Sequence, residues 1–558
     1  MVAYSADFET ITTEPTRVWL WAICPTNDHN NVVWGKDIEG FMDEISKAKY
    51  HKSKIYFHNL KFDGMFIMSW LLNNDTFTQT FEKKLLPYEY TTLISKMGQW
   101  YQIKIRFNRT QVTIQDSLKK LPFSVKQLAG AFNLDMKKGE IDYTMDRPVG
   151  YEPTEDEIDY VKNDVGIVAQ SLEVQFNQGL KEMTIGADAL KFFKDLTGKF
   201  RDNYPLLDEE VDTFCRRAYK GGYCYCSPLH QGKVIDTPGQ VFDVNSMYPW
   251  AMRYKPLPYG KPLYFTGEYK EDKDYPLYII HLVADFKLKD GKLPTVQVKN
   301  DFRFLAREYI RDSKGHLELY MTSVDLELFL DAYEIFDIKY IDGYKFRSNT
   351  HSFSAYIDHW MKVKQENTGA LRTLAKLMLN SLYGKFAKNP DTTGKHPILV
   401  DGVVKLVNNA KETSETTYVP VGCFITAWSR WNLINSALVA GDRFCYCDTD
   451  SIHVIGMEPV EGLKIHETEL GAWKQELVFN RAKYLHTKCY IEEYTDNEGQ
   501  TQLKVTVSGL PSACRSQVTF DNFIPGATYS GKLLQRSVIG GVILEETTFT
   551  IKEDAFNE

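Results

Sequence analysis

Two carboxylates lie at the bend of an otherwise apolar hairpin in the segment FCYCDTDSIHVI, residues 444–455. The flanking runs, 444–447 and 452–455, predict two antiparallel strands. Asp448 and Asp450 are two residues apart, so both can point to the same side. Because like charges in a half-buried hairpin cost free energy without a cation between them, the segment predicts a cation site. A polar turn is the alternative, since Asp and Ser are common in turns.

Two familiar metal sites do not fit the spacing. Counted from Asp448, the sixth position is His453 and the twelfth is Pro459, where a calcium-binding EF-hand requires Gly and Glu. The cysteine pairs of the chain are spaced C-x-C, whereas zinc sites use C-x₂₋₄-C. We therefore expect reduced thiols and no zinc.

A third carboxylate, Asp243, follows an apolar strand in the segment FDVNSMYP. If adjacent strands bring it to Asp448 and Asp450, the three acids supply the hard oxygen ligands that suit Mg²⁺, which recruits substrate phosphates as further ligands. Two such ions about 3.5–4 Å apart activate an attacking hydroxyl and stabilise a leaving oxygen. This pattern is typical of phosphoryl transfer.

A predicted helix, residues 371–386, supplies complementary charge. Arg372, Lys376 and Tyr383 recur at helical spacing, and Lys364 lies on the preceding helix. A triphosphate needs such cations, and a nucleotide ring needs a flat partner for stacking. The alternative is a solvated basic face.

A second group of acids lies in the first 180 residues, where alternating strand and helix patterns predict an α/β domain. Asp7 and Glu9 share one face of a strand, Asp63 follows a strand, and Tyr160 and Asp164 are spaced i, i+4 on a helix. Four carboxylates with a tyrosine could bind two metals and orient a water for phosphodiester hydrolysis. Taken singly, each acid also fits an ordinary surface position.

Composition and charge argue against some classes of protein. The net charge of −8 argues against a protein that only coats nucleic acid. No apolar run approaches the ~20 residues of a membrane helix, and the N-terminus lacks a secretion signal. We expect no membrane association and a location in the cytoplasm.

The segments DVNSMYP, KLMLNSLYG and YCDTDS, in this order, resemble motifs A, B and C of family B DNA polymerases. The individual residues within these motifs are similar to those of the protein-primed polymerases of phi29-type bacteriophages. YKGGY (219–223) and KCY (488–490) resemble two further motifs of that group. TAWSR (426–430) resembles its T-x-x-(G/A)-R motif, with Ser429 where Gly or Ala is expected.

The resemblance implies roles in a polymerase site. Asp243, Asp450 and Val244 would bind metal, with Val244 also beside the nucleotide, and Asp448 would be a catalytic acid near the primer end. Tyr248 would lie under the incoming sugar and discriminate against a 2′-hydroxyl. Triphosphate contacts are implied for Lys364, Arg372 and Lys376, and Tyr383 would pack by the nascent pair. DNA contacts are implied for Tyr219, Gly221, Gly222, Thr426, Arg430, Lys488 and Tyr490.

SADFET, FHNLKFDG and YVKND together resemble the three motifs of proofreading 3′–5′ exonucleases. The implied metal ligands are Asp7, Glu9, Asp63 and Asp164, with Tyr160 orienting the attacking water and Lys138 as a catalytic lysine. Contacts to a frayed single strand are implied for His58, Asn59, Phe62, Ser117, Leu118 and Phe123.

The fold implied is an α/β and α+β multidomain chain, with a ribonuclease H-like exonuclease domain followed by a right-hand polymerase domain. The expected boundaries are exonuclease 1–183, palm 184–254 and 414–519, insertion 1 255–352, fingers 353–387, insertion 2 388–413 and thumb 520–558. In the resembled group, insertion 1 binds a terminal protein and DNA, and insertion 2 gives processivity and strand displacement.

The function implied is replicative DNA synthesis with proofreading, initiated on a protein hydroxyl. Expected ligands and partners are template and primer DNA, dNTPs, two Mg²⁺ per active site with Mn²⁺ as a substitute, and a terminal protein. The chain would be a monomer or a heterodimer with that protein, in the cytoplasm of a host bacterium. Three alternatives remain open: a family B polymerase that extends only nucleic-acid primers, an RNA-making enzyme, and a non-catalytic protein that binds metal or nucleic acid.

Overall fold

The computed structural model describes residues 2–134, 136, 139–298, 301–305 and 308–552 of the 558-residue chain. Within these residues the strands form sheets of ten, five, four, four and two strands. No helix in this described part combines the length and apolar character needed to cross a membrane.

The N-terminal region builds a mixed sheet covered by helices. Its elements are β1 (Ala3–Thr10), β2 (Val18–Pro25), β3 (Val33–Gly35), α1 (Ile38–Ser46), β4 (Lys54–Phe57), α2 (Leu60–Leu72), β5 (Thr78–Gln79), β6 (Glu89–Ser95), β7 (Trp100–Arg106), β8 (Gln111–Asp116), α3 (Val125–Ala131) and α4 (Glu155–Asn177). β1, β4 and β8 are parallel neighbours, so their carboxyl ends lie at one edge. α4 packs across β1 and β2. The predicted α/β pattern is confirmed here.

A helical segment then leads to the first strands of a second sheet. Its elements are α5 (Ile185–Thr197), α6 (Phe200–Asn203), α7 (Glu209–Ala218), β9 (Cys224–Cys226), β10 (Val234–Ile235), β11 (Gly239–Val244) and α8 (Met247–Tyr254). The turn between β11 and α8 contains Ser246, whose φ is +61°. Asp243 therefore lies at the end of β11, just before this turn.

The described strands between residues 257 and 349 form a separate antiparallel sheet with its own apolar core. Its elements are β12 (Leu257–Thr266), β13 (Leu277–Leu288), β14 (Leu317–Thr322), α9 (Ser323–Ala332) and β15 (Tyr333–Asn349).

The predicted helix pair is confirmed as α10 (Ser354–Glu366) and α11 (Gly369–Ser381), followed by α12 (Tyr383–Phe386), β16 (Gly394–Val400) and β17 (Val403–Asn408). The β16–β17 hairpin extends the N-terminal sheet, because β16 pairs with β6 at Gly394 with Ser95 and Lys395 with Ile94. This long-range pairing was not predicted from the sequence.

The remaining elements are α13 (Val419–Val439), β18 (Phe444–Asp448), β19 (Ser451–Ile455), β20 (Trp473–Phe479), β21 (Arg481–His486), β22 (Cys489–Thr495), β23 (Thr501–Val507), α14 (Ser512–Arg515), β24 (Thr528–Val538) and β25 (Gly541–Thr550). The second sheet has the order β20-β11-β19-β18-β9, and β10-β21-β22-β23 form a third. The β24–β25 hairpin packs back on the N-terminal sheet, where Val542 joins the apolar core of that region. The predicted β18–β19 hairpin is confirmed.

Candidate active sites

The strand order brings two of the predicted acids together at one cavity. β11 pairs with β19, aligning Asp243 with Ser451, and the amide of Val244 donates to the carbonyl of Asp450 at 2.8 Å. The side chains of Asp243 and Asp450 line a cavity of about 550 Å³. Residues 207 positions apart in the chain thus meet because their strands are neighbours in the second sheet.

The electrostatics of this pair favour the binding of a cation. Burial raises the pKa of Asp243 to about 7, and the nearby carboxylates of Asp450 and Glu476 add to the shift. Burial raises the pKa of Asp450 to about 6, with the charge of Asp448 as the next contribution. A divalent cation between these acids would favour their charged forms and reverse both shifts.

Asp448 points toward a different partner. Its two carboxylate oxygens lie 2.7 and 2.6 Å from the Lys488 ammonium. Lys488 has a φ of +57°, and its amide donates to the Tyr446 hydroxyl at 2.8 Å. The predicted catalytic acid and the predicted primer-binding lysine are therefore in direct contact.

The opposite wall of the same cavity carries the predicted cations and rings. The lining includes Tyr248, Lys364, Arg372, Lys376 and Tyr383. The Lys364 ammonium donates to the Ser246 hydroxyl at 3.2 Å, and burial lowers its pKa, with Lys376 and Arg372 adding to the effect. The rings of Tyr248 and Tyr383 have centroids 4.0 Å apart. The site thus combines acids, cations and a flat aromatic surface.

In the described part of the chain, no group of three or more His, Cys, Asp or Glu side chains is arranged as a complete metal site. The donors still fit Mg²⁺, because this ion takes most of its ligands from water and substrate phosphates and needs only one or two carboxylates. Asp243 and Asp450 supply these carboxylates, and the Val244 carbonyl is a further oxygen on the same strand end.

Residues 448–451 form the turn of the β18–β19 hairpin, which we call the catalytic bend. Glycine is required where the 219–223 segment meets this bend. The Thr449 amide donates to the Tyr223 carbonyl at 2.7 Å. A Cβ on Gly222 would lie 2.8 Å from the Thr449 hydroxyl, whereas one on Gly221 would meet nothing within 4 Å. Tyr219, the first residue of this segment, is half-buried. Gly222 therefore leaves room for the Thr449 side chain, whereas the contacts of Gly221 and Gly222 with DNA stay predictions.

Two predicted DNA contacts need correction. Thr426 is fully buried, and its hydroxyl donates to carbonyls of its own helix. The Arg430 side chain is 5% exposed; its guanidinium binds both oxygens of Asp325 and donates to the carbonyls of Lys220 and Gly221 at 2.9 and 2.7 Å. Neither side chain presents a surface to DNA, so both act by holding the protein framework.

Tyr490, the other residue of the KCY segment with a predicted DNA contact, is 7% exposed and packs against the ring of Tyr446. Its contact with DNA stays a prediction.

The N-terminal acids line a second cavity of about 930 Å³. Its lining includes all the predicted metal ligands and the predicted tyrosine: Asp7, Glu9, Asp63, Tyr160 and Asp164. Burial raises the pKa of Asp63 well above its usual range, and the charges of Asp7 and Glu9 add to this shift. Side chains of β24 and β25 also line this cavity. Lys138 lies outside the described residues.

Tyr160 is buried, and its hydroxyl lies 3.1 Å from that of Tyr143. Burial raises the pKa of Tyr160, and the charge of Asp164 raises it further, so the phenol is protonated at neutral pH. A protonated hydroxyl here can orient a water by hydrogen bonding.

Three of the six predicted single-strand contacts line this cavity. His58, Asn59 and Phe62 line it. The His58 Nε2 donates to the Phe123 carbonyl at 2.7 Å, and its Nδ1 lies 2.9 Å from the Ser117 hydroxyl. Because a carbonyl only accepts, Nε2 carries the hydrogen.

Ser117 is fully buried, so its predicted DNA contact is corrected. Its hydroxyl lies within hydrogen-bond distance of the Phe57 carbonyl as well as His58, so it holds His58 in place. Leu118 and Phe123 are half-buried and keep surface for a strand.

Three residues of these sites were not identified from the sequence: Glu476, Tyr143 and Asp116. Glu476 lies on β20 and influences both polymerase acids. No local spacing marks Glu476 or Tyr143. Asp116 could have been identified from the sequence, because it ends a strand, β8, directly before the predicted site residue Ser117.

Comparison with known proteins agrees with this geometry. The family model of DNA polymerase type B, organellar and viral, matches residues 44–149 and 140–467. The DNA polymerase of Bacillus phage Nf is 44% identical, covering 98% of this chain and 99% of that protein.

Solved structures also match over nearly the whole chain. Phi29 DNA polymerase complexed with primer-template DNA and incoming nucleotides has a TM-score of 0.94 and 42% identity, covering 99% of this chain and 100% of that one. Phi29 DNA polymerase complexed with single-stranded DNA has a TM-score of 0.92 and 41% identity over the same shares. The predicted fold class, an exonuclease domain followed by palm, fingers and thumb, is confirmed by these matches. The chain therefore belongs to the organellar and viral type B DNA polymerases and is a DNA-directed DNA polymerase of the phi29 type with a 3′–5′ exonuclease.

Proposed function

We propose that this polymerase replicates a phage genome from a protein primer and proofreads its product at a second site. The observation that carries the proposal is the presence of two separate acid-lined cavities in one chain, only one of which has lysine and arginine side chains among its described lining. Synthesis needs a triphosphate-binding wall, whereas hydrolysis of a strand end does not.

In the polymerase cavity, Lys364, Arg372 and Lys376 hold the triphosphate, and Tyr248 lies beneath the sugar and excludes a 2′-hydroxyl. Tyr383, whose ring lies at a tilt against that of Tyr248, packs against the nascent pair. The primer 3′-hydroxyl attacks the α-phosphate, and pyrophosphate leaves.

Mg²⁺, with Mn²⁺ as a substitute, would be held two per site by Asp243, Asp450 and the Val244 carbonyl in one cavity, and by Asp7, Glu9, Asp63 and Asp164 in the other. When bound, these ions activate the attacking oxygen and neutralise charge on the leaving oxygen. The raised pKa values of Asp243 and Asp63 support this assignment.

In the exonuclease cavity, Asn59, Phe62 and Leu118 hold a frayed 3′ end while Tyr160 orients the attacking water. A mispaired end costs little to unstack and so reaches this site more readily than a paired one. Phi29 DNA polymerase has been solved with single-stranded DNA, which supports a single-strand site in this chain as well.

The proposed domains are exonuclease 1–183, palm 184–254 and 414–519, fingers 353–387 and thumb 520–558. Insertion 1, 255–352, would bind the terminal protein and DNA. Insertion 2, 388–413, would give processivity and strand displacement, and its hairpin joins the N-terminal sheet. The enzyme would act in the cytoplasm of the host bacterium as a monomer or a heterodimer with its terminal protein.

Primer extension and degradation of a single-stranded end, measured side by side, test the two-site assignment. We expect Asp243→Ala to lose extension and keep degradation, and Asp7→Ala to do the reverse. Loss of both activities in either folded variant would contradict it.

Attachment of a dNMP to terminal proteins encoded in the same genome as this polymerase tests protein priming. Failure of that transfer, with normal extension of a DNA primer, would favour a polymerase that uses only nucleic-acid primers.

A further inference from the structure

A buried acid joins a turn that lines the exonuclease cavity to a second turn beside it. Asp116 is 2% exposed and ends β8. Its Oδ1 accepts a hydrogen bond from the Asn59 amide at 3.1 Å and one from the Leu118 amide at 3.0 Å. The two amides belong to turns that leave adjacent parallel strands, since Phe57 at the end of β4 aligns with Asp116.

One of these turns is unfavourable by itself. Asn59 has φ +79° and ψ +54°, the left-handed region, which a residue with a side chain adopts only at a cost. Its own side chain makes no capping hydrogen bond to α2. The bond from its amide to Asp116 is therefore a contact that favours this conformation from outside the turn.

The second turn is also tied to the first. Ser117 and Leu118 follow Asp116 directly, and the Ser117 hydroxyl contacts His58 and the Phe57 carbonyl. Asp116 is more than an N-terminal cap of the 117–119 turn, because the same oxygen binds a residue 57 positions away. A hydrogen bond to a charged acceptor is stronger than one between neutral groups.

We propose that Asp116 is a positioning residue of the exonuclease, which sets the distance between the Asn59 turn and the Ser117–Leu118 turn so that both grip one single strand. This inference rests on the proposed single-strand site. Asp116 does not touch the strand in this role. Its removal would loosen the grip on DNA more than it would impair the hydrolytic step.

The test is the kinetics of degradation of a single-stranded oligonucleotide by the full-length enzyme. We expect Asp116→Ala to raise the KM for the oligonucleotide at least about tenfold, while kcat at saturation changes less than about threefold. Asp116→Asn keeps an oxygen that can accept both bonds, so the rise in KM should be smaller. Extension of an annealed primer without added mismatches should stay within about twofold of the unchanged enzyme.

Asp37→Ala is a matched control. Asp37 also caps a helix of this domain, accepting from the Gly40 amide at 2.7 Å, but it bonds neither Asn59 nor Leu118. It should lower the melting temperature as Asp116→Ala does and leave the KM unchanged. A KM that rises equally in Asp37→Ala, or that stays unchanged in Asp116→Ala, would overturn the inference.

Asp7→Ala separates this inference from the proposed function. If Asp7→Ala still degrades the oligonucleotide, the exonuclease assignment itself fails. If Asp7→Ala abolishes degradation and Asp116→Ala leaves its KM unchanged, only the role of Asp116 fails.

Discussion

The Lys488 ammonium lies 2.7 and 2.6 Å from the two carboxylate oxygens of Asp448, so the first acid of the catalytic bend is paired with the turn before β22. Lys488 is exposed, with a left-handed backbone that is held by the Tyr446 hydroxyl. The pair neutralises Asp448 beside Asp450 and leaves the lysine accessible to a negatively charged primer strand.

Replacing Lys488 by alanine should lower extension of an annealed primer by at least about tenfold, because Asp448 loses its cation and the primer loses a phosphate contact. Lys488→Arg keeps the charge and should retain more activity. Degradation of a single strand should not change. Lys464, which pairs with Glu469 on the surface, gives a control variant, Lys464→Ala, with expected normal extension. Equal extension by Lys488→Ala and Lys464→Ala would contradict the prediction.

The raised pKa values of the polymerase acids predict a pH-dependent effect of Mg²⁺ on stability. Asp243 has a pKa of about 7 in the folded chain against 3.8 for a free side chain, and Asp450 about 6. Between pH 4 and 7 the folded state holds protons that the unfolded state has lost, so stability without metal falls as pH rises through this window. Mg²⁺ should therefore raise the melting temperature more at pH 8 than at pH 5.

The double variant Asp243→Asn/Asp450→Asn isolates this effect, since the exonuclease acids are unchanged in it. The difference in Mg²⁺-induced melting shift between the unchanged and the double-variant protein should be large at pH 8 and small at pH 5. No difference at pH 8 would show that these two acids do not bind the ion, and a difference that is the same at both pH values would contradict their raised pKa values.

The two adjacent glycines of the 219–223 segment should respond differently to substitution. A Cβ on Gly222 would lie 2.8–3.1 Å from three atoms of the Thr449 side chain, and Thr449 itself has φ +59°. Gly222→Ala should therefore displace the catalytic bend and lower primer extension by about tenfold or more. Gly221→Ala meets no atom within 4 Å and should leave extension near normal. The reverse order of the two variants would show that the glycines act on DNA and not on the bend.

Local patterns were sufficient for the elements that carry the acids. The alternation around Asp448 and Asp450 predicted the β18–β19 hairpin, and the spacing of Arg372 and Lys376 predicted that they share a helix, α11. Tyr383 was predicted on the same helix, but α11 ends at Ser381 and Tyr383 begins α12. Both predictions depend only on neighbours within a few residues, where strand and helix periods decide which side chains share a face. The prediction that Asp243 lies close to Asp450 depended on an assumed strand order. The structure agrees with that assumption, because β11 pairs with β19.

Long-range partners could not be read from the sequence. Thr426 and Arg430 matched a motif, but their burial depends on how α13 packs against α9 and the 219–222 segment. Ser117 was likewise assigned to DNA because a motif gives the residue type and not the direction of the side chain. The pairing of β16 with β6 joins residues about 300 positions apart, and no local pattern specifies it.

The buried pair of Arg430 and Asp325 gives a test that separates folding from positioning. Burial raises the pKa of Asp325, but the charges of Arg430 and Lys220 outweigh burial and hold it below its usual value. Arg430→Ala would leave a buried charge unpaired, at a cost of about 3–5 kcal/mol in the free energy of unfolding. Arg430→Lys should be only partly tolerated, because an ammonium cannot form the bidentate pair.

Replacing both partners, as Arg430→Met with Asp325→Leu, should recover much of the lost stability, because apolar pairs of similar volume often match a buried ion pair. Extension should nevertheless stay low, because the carbonyls of Lys220 and Gly221 have lost the guanidinium that binds them. Melting temperature and primer extension measured on the same three variants check this. If the double variant recovers both stability and extension, Arg430 serves folding alone. If it recovers stability without extension, Arg430 holds the 219–222 segment against the catalytic bend.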